Sequence, residues 1–164
     1  MSATARAQAA AGGGAVAREG FFLAEQLWPI KGQLALALIG LALGGLMGLM
    51  QALDRVGIVI YKSMLLQSYY QGLTIHGVLL AFLFTFGFGN AFVSLMAIRG
   101  FGRPLASTFL VQGAFWTMLV GTVLAAYAIL RNQATVLFTF YAPMRASSLF
   151  YLGAALLVVS TLLT

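Results

Sequence analysis

A chain of 164 residues that is 62% hydrophobic and only 7% charged lies far from the soluble range, where about a quarter of residues are charged, so a water-soluble domain is excluded. It has no cysteine, which removes disulfides, thiolate-bound metals and iron–sulfur clusters. The net charge of +6 is spread thinly over the ends of apolar runs; that is a membrane-topology signal rather than a nucleic-acid footprint, and no nucleic-acid partner is expected.

Residues 1–20, "MSATARAQAAAGGGAVAREG", are rich in small residues and lack the apolar core of a signal peptide, so they read as a flexible tail. Residues 21–32 carry Phe21, Phe22 and Trp28 and suit a short interfacial segment at headgroup level. Residues 33–164 form the membrane domain. Apolar runs of about 20 residues cross a hydrocarbon layer about 30 Å thick as helices. Four such runs are expected, at about 33–53, 73–98, 105–130 and 146–164, the last barely long enough. The expected fold is therefore all-α and integral to the membrane, with four transmembrane helices. "DRVGIVIYKSMLLQSYYQG" reads as a surface-lying connection between the first two, and "RNQATVLFTFYAPMRASS" as an aromatic loop before the fourth. Pro104 and Pro143 fall in loops, where a missing N–H costs little.

Arg6, Arg18, Lys31, Arg99 and Arg103 lie on one side of this topology, and Arg55, Lys62, Arg131 and Arg145 on the other. Five cations against four place the N-terminus in the cytoplasm by a narrow margin. Gly40, Gly44 and Gly48 recur every four residues on one face of the first span, with Gly45 beside them. Small residues at this spacing admit another helix, or a flat ligand, close to the backbone.

His76 is the only histidine, set within "SYYQGLTIHGVLLAF". A polar ring inside a membrane is costly unless paired, so an intramembrane histidine is a candidate functional site. It lies about 9 Å along the helix from Tyr70, so an interfacial role bonded to a neighbouring carbonyl competes with ligation or proton transfer. Tyr69, Gly72, Leu73 and Leu80 share its helical face, and Gly77 lies alongside. That stripe combines a nitrogen donor, glycines that leave a plane unblocked, and apolar walls. It suits a porphyrin iron bound through imidazole, and equally a tight helix crossing. The phenylalanines of "AFLFTFGFGNAF" read as lipid-facing or core side chains.

"YYQGLTIHGVLLAF" closely resembles the second transmembrane helix of subunit I of heme–copper terminal oxidases, particularly the B-type branch. "NQATVLFTFYAPMRASSLFYLGAALLVVST" is similar to that family's aromatic-Thr-x-Tyr-Pro-Pro segment and the start of its fourth helix. "GFGNAFVSLMAIRG" is similar to the end of helix two in A-type members, and "GLMQAL" to the end of helix one in B-type members. The resemblance implies the first four helices of a twelve-helix bundle. It implies that His76 is an axial ligand of the low-spin heme (b or a type), with Tyr69, Leu73, Gly77, Leu80, Gly44 and Gln51 around the cofactor. Tyr141 and Thr139 resemble residues near the outer edge of the hemes.

Three departures qualify the match. The Tyr-Pro-Pro triplet is Tyr141-Ala142-Pro143 here. The arginine that A-type members place in helix one is missing, with Gln51 near its position, and "RGFGRPLAS" has no aspartate; both point away from the A-type. One histidine cannot supply the second heme ligand, the high-spin heme ligand and the copper ligands. The implied function is part of a respiratory cytochrome c oxidase in a prokaryotic inner membrane. The high-spin heme and copper, and the remaining helices, would come from a second chain or a missing segment. Subunit II with a copper centre, cytochrome c or a similar donor, and membrane lipid are the implied partners. A nitric oxide reductase relative, or a non-catalytic subunit that holds a heme or scaffolds a complex, are the alternatives.

Overall fold

The computed structural model describes the backbone of residues 3–58, 61 and 66–164, and side chains from residue 23 onward. Its helices are α1 (Ala3–Arg55), α2 (Tyr69–Gly77), α3 (Thr85–Phe101), α4 (Thr108–Leu130) and α5 (Ser148–Leu162). A seven-residue π-helical stretch, Val78–Phe84, joins α2 to α3, so the three form one continuous rod, Tyr69–Phe101. No strand occurs among the described residues; the only ladder-like contact there is a single bridge between Ala134 and Ala146.

Among the described residues three helices are long and apolar enough to cross a membrane: Leu23–Arg55, Tyr69–Phe101 and Thr108–Leu130. The all-α membrane architecture therefore stands, with different bounds. α1 passes Pro29 without a break, although that residue offers no N–H to the turn before it. The backbone is also helical across 3–20 and 21–32, where composition suggests a tail and an interfacial segment; alanine supplies much of the propensity. The second rod extends four residues before its expected start at 73 and three beyond its expected end at 98. α5 occupies the place of the expected fourth span as a shorter apolar helix, its 15 residues reaching about 22 Å at about 1.5 Å per residue. Val59, Ile60 and residues 62–65 of the connection expected to lie on the surface are outside the described residues.

Many of the buried positions carry small residues, while many large apolar residues face outward. Ala37, Ala91, Ala114, Ala125 and Ala128 are buried, while Leu38, Ile39, Leu46, Phe92 and Val123 are exposed. In water this arrangement would be unfavourable. In lipid, burial of apolar surface gives helices no reason to associate, and close backbone approach over small residues is the available attraction. α4 and α5 show the closest case. A Cβ on Gly153 would lie 2.7 Å from both the Gly121 carbonyl oxygen and the Ala125 nitrogen, so the two backbones touch.

α1 crosses the second rod through its glycines in antiparallel register. Gly40 faces Leu83, Gly44 faces Leu80, and Gly48 faces His76. The glycine face is thus filled by a helix, the first of the two uses its spacing allows. The π-helical stretch lies between His76 and Thr85 within this contact, and Thr85 closes it. Both its backbone N–H and its hydroxyl donate to the Leu80 carbonyl, the hydroxyl at 2.9 Å. A membrane interior provides no water for a freed carbonyl, so such internal partners are required.

Amide side chains tie the ends together. Gln26 donates to the Leu105 carbonyl (3.0 Å) and the Thr108 hydroxyl (3.1 Å), and accepts from the Leu105 N–H (2.8 Å). Gln71 donates to the Ile129 carbonyl at 2.8 Å, and the Thr74 hydroxyl accepts from the Leu137 N–H at 3.1 Å. The first ties the last turn of α4 to α2, and the second fastens the α4–α5 loop over it.

The touching backbones of α4 and α5 give a direct test. Gly153→Ala is expected to lower the thermal midpoint in detergent, at a cost of about 1–3 kcal/mol, because no flexible side chain can yield. Gly45→Ala, with nothing within 4 Å of its added carbon, is expected to leave the midpoint within error or raise it slightly. Equal midpoints for the two variants, read by circular dichroism, would contradict the packing described.

Candidate heme-ligand site

α2 begins where Ser68 caps it, its hydroxyl accepting from the Gln71 N–H at 3.1 Å. That start puts His76 two turns into the helix and against α1. The His76 Nδ1 lies 2.7 Å from the Gly44 carbonyl oxygen. A carbonyl can only accept, so Nδ1 carries the proton and donates. In a neutral imidazole the other nitrogen, Nε2, then holds the lone pair and is free to bind a metal. Thr74 and Tyr69, close to His76 in sequence, are engaged elsewhere: the Thr74 hydroxyl donates to the Tyr70 carbonyl, and the Tyr69 hydroxyl accepts from the Arg55 Nε at 3.0 Å.

His76 is half-buried and borders an open groove of about 450 Å³, within the range of about 300–1,000 Å³ usual for ligand clefts. Leu41, Gly77, Leu80, Ala81, Phe84 and Phe138 form its apolar wall, and Thr85 is its only other polar side chain. Phe138 comes from the α4–α5 loop and approaches so closely that a Cβ on Gly77 would lie 2.6 Å from its ring. The absence of a side chain at position 77 is therefore what lets an aromatic wall stand beside the histidine.

Among the described residues no group of three or more His, Cys, Asp or Glu side chains could hold a metal ion. A metal at Nε2 would have to bring its remaining ligands with it. An iron in a porphyrin does so, and one imidazole beside an apolar groove is the donor set it needs from one side. The residues present fit that group.

The expected site residues divide into two sets. His76, Gly77 and Leu80 share the groove, and Gly44 touches the ring through its carbonyl rather than by making space for a plane. Tyr69, Leu73 and Gln51 are not on the groove wall. Gln51 is buried, donates its amide to the Tyr61 hydroxyl, and its buried Oε1 has no partner among the described residues. Tyr69 packs edge-on against Tyr61 at 5.9 Å and lies under the Arg55 guanidinium. These side chains form an aromatic cap above the histidine. Phe138 is not legible in the sequence as a site residue. Its placement depends on Leu137 and Phe140 adopting positive φ (61° and 55°), which non-glycine residues rarely do and which no sequence pattern announces.

The chain matches the family described as cytochrome c and quinol oxidase polypeptide I over residues 29–164, and it belongs to that family. It is 42% identical over 134 residues to cytochrome c oxidase subunit 1 of Thermus thermophilus, covering 78% of this chain. It also superposes on a heme–copper terminal oxidase dimer solved by cryo-electron microscopy, with a TM-score of 0.67 and 33% identity over 85% of this chain. It spans only 24% of each of those relatives. The protein is thus a membrane-embedded portion of a heme–copper oxidase subunit I.

Tyr61 provides a pH test. Burial and the nearby Asp54 charge raise its phenol above the ordinary value of 10.0. The folded state holds this proton more tightly than the unfolded chain does. The resulting stabilisation is present below about pH 10 and is lost as pH rises through the higher folded value. Ultraviolet difference titration of wild type against Tyr61→Phe is expected to show one missing phenol step, located above about pH 10. A missing step at or below that value would contradict the buried cap.

Proposed function

We propose that this chain supplies one axial ligand, His76 Nε2, to the low-spin heme of a respiratory heme–copper oxidase of the B-type branch. The observation that carries the reading is the bond from Nδ1–H to the Gly44 carbonyl, which leaves Nε2 with its lone pair on a ring that borders an apolar groove. When bound, the heme would act as a one-electron relay between a donor and the oxygen-reducing centre.

The chain's own residues do the holding. Gly44 fixes the tautomer and the ring plane. Leu80, Phe84 and Phe138 exclude water from the faces they cover. The Gln51, Tyr61 and Tyr69 cap closes the helix end above. With the N-terminus in the cytoplasm, α2 enters from the outer side of a prokaryotic inner membrane, so His76 lies in its outer half. The second ligand of this heme, and those of the high-spin heme and copper, lie outside these residues, because the sequence holds one histidine. The remaining subunit I helices, on a second chain or a further segment, subunit II with its copper centre, and cytochrome c or a similar donor complete the assembly. The absence of an aspartate in "RGFGRPLAS" supports the B-type assignment; Arg55, one turn beyond Gln51 in α1, is engaged by Tyr69.

His76→Ala in the assembled complex is expected to abolish the low-spin heme absorption band and lower heme content. Retention of high-spin heme and copper would show that assembly survives. An unchanged visible spectrum would refute the ligand assignment and leave a scaffolding role.

A further inference from the structure

Resting on the assignment of His76 as a heme ligand, we propose that Gly48 is a positioning residue which, with the Gly44 carbonyl, sets the electron-donating strength of that ligand. A Cβ on Gly48 would lie 2.7 Å from His76 Cε1 and 3.0 Å from Nδ1. The obstructed group is a rigid ring, not the end of a flexible chain. It already stands 2.7 Å from the Gly44 carbonyl oxygen, so it cannot move aside without lengthening that bond. Gly44 and Gly48 are one helical turn apart, so one supplies the acceptor and the other the space that lets the donor reach it.

The consequence is electronic. A carbonyl accepting from Nδ1–H raises the basicity of Nε2. A more basic ligand favours the more positively charged state of a bound iron and lowers its reduction potential. Moving the ring off Gly44 reverses this. Gly45 provides the control, since it lies on the same helix with nothing within 4 Å.

The test is a spectroelectrochemical titration of the assembled complex carrying Gly48→Ala, Gly45→Ala or His76→Ala. Gly48→Ala is expected to shift the low-spin midpoint potential upward, or to lose the low-spin heme while high-spin heme is retained. Gly45→Ala is expected to match wild type. A Gly48→Ala potential and spectrum equal to wild type would overturn the proposal. Persistence of the low-spin band in His76→Ala would instead overturn the ligand assignment, so the two failures are distinguishable. If Gly48→Ala does not assemble, His76→Gly complemented with free imidazole or with 1-methylimidazole decides. Only the first can donate an N–H to Gly44 while it ligates, and it is expected to give the lower potential. Equal potentials would overturn the proposal.

Discussion

The hydrogen bond from His76 to the backbone carbonyl of Gly44 requires two helices to approach closely enough for a side chain of one to reach the main chain of the other. That approach is possible because Gly40, Gly44 and Gly48 leave α1 without side chains along the line of contact. Leu83, Leu80 and His76 fill the line in turn. One constraint therefore does three things. It holds α1 to the second rod, gives a half-buried polar nitrogen a partner, and decides which imidazole nitrogen keeps its lone pair. In lipid the second matters most, since an unpaired polar group there costs several kcal/mol by the general rule for buried polar atoms.

The rest of the bundle supports this crossing. α4 and α5 pack backbone to backbone through Gly121 and Gly153; Gln71 fastens the end of α4 to α2, and Thr74 fastens the loop that follows. Phe150, Val136 and Val78 share a buried cluster, so the loop, α5 and the π-helical stretch are held as one unit. Phe138 is carried on that loop to its place beside Gly77. The aromatic wall next to the histidine thus depends on contacts made by four different segments. Gln26 does the equivalent work at the opposite end by binding the α3–α4 loop to α1.

Much of the fold is readable from hydropathy alone, because a membrane demands long apolar helices and the sequence offers four apolar runs, three of which form helices of spanning length among the described residues. That His76 needs a partner is also legible, since a lone imidazole in an apolar run is costly unless paired, and the structure gives it the Gly44 carbonyl. What is not legible shares a physical cause. The Gly44 carbonyl is backbone, and no letter of the sequence marks which carbonyl a histidine will find. By its spacing Gly44 suggests room for a flat ligand; in the structure it is an acceptor covered by Leu80. Tyr69 and Gln51 lie within reach of the site in sequence terms, yet they pair with Arg55 and Tyr61 because those partners arrive from the connection and the end of α1. The π-helical stretch has no composition of its own, and the short α5 has the hydropathy of a span without its length.

The central claim is that His76 Nε2 meets a heme iron while Nδ1 stays on Gly44. An experimental density map of the assembled oxidase tests it most directly. Continuous density should run from Nε2 to the centre of a planar macrocycle lying beside Leu80 and Phe138, with the Gly44 contact kept. A map in which this imidazole touches only protein or lipid, and every macrocycle is ligated by other residues, would contradict it.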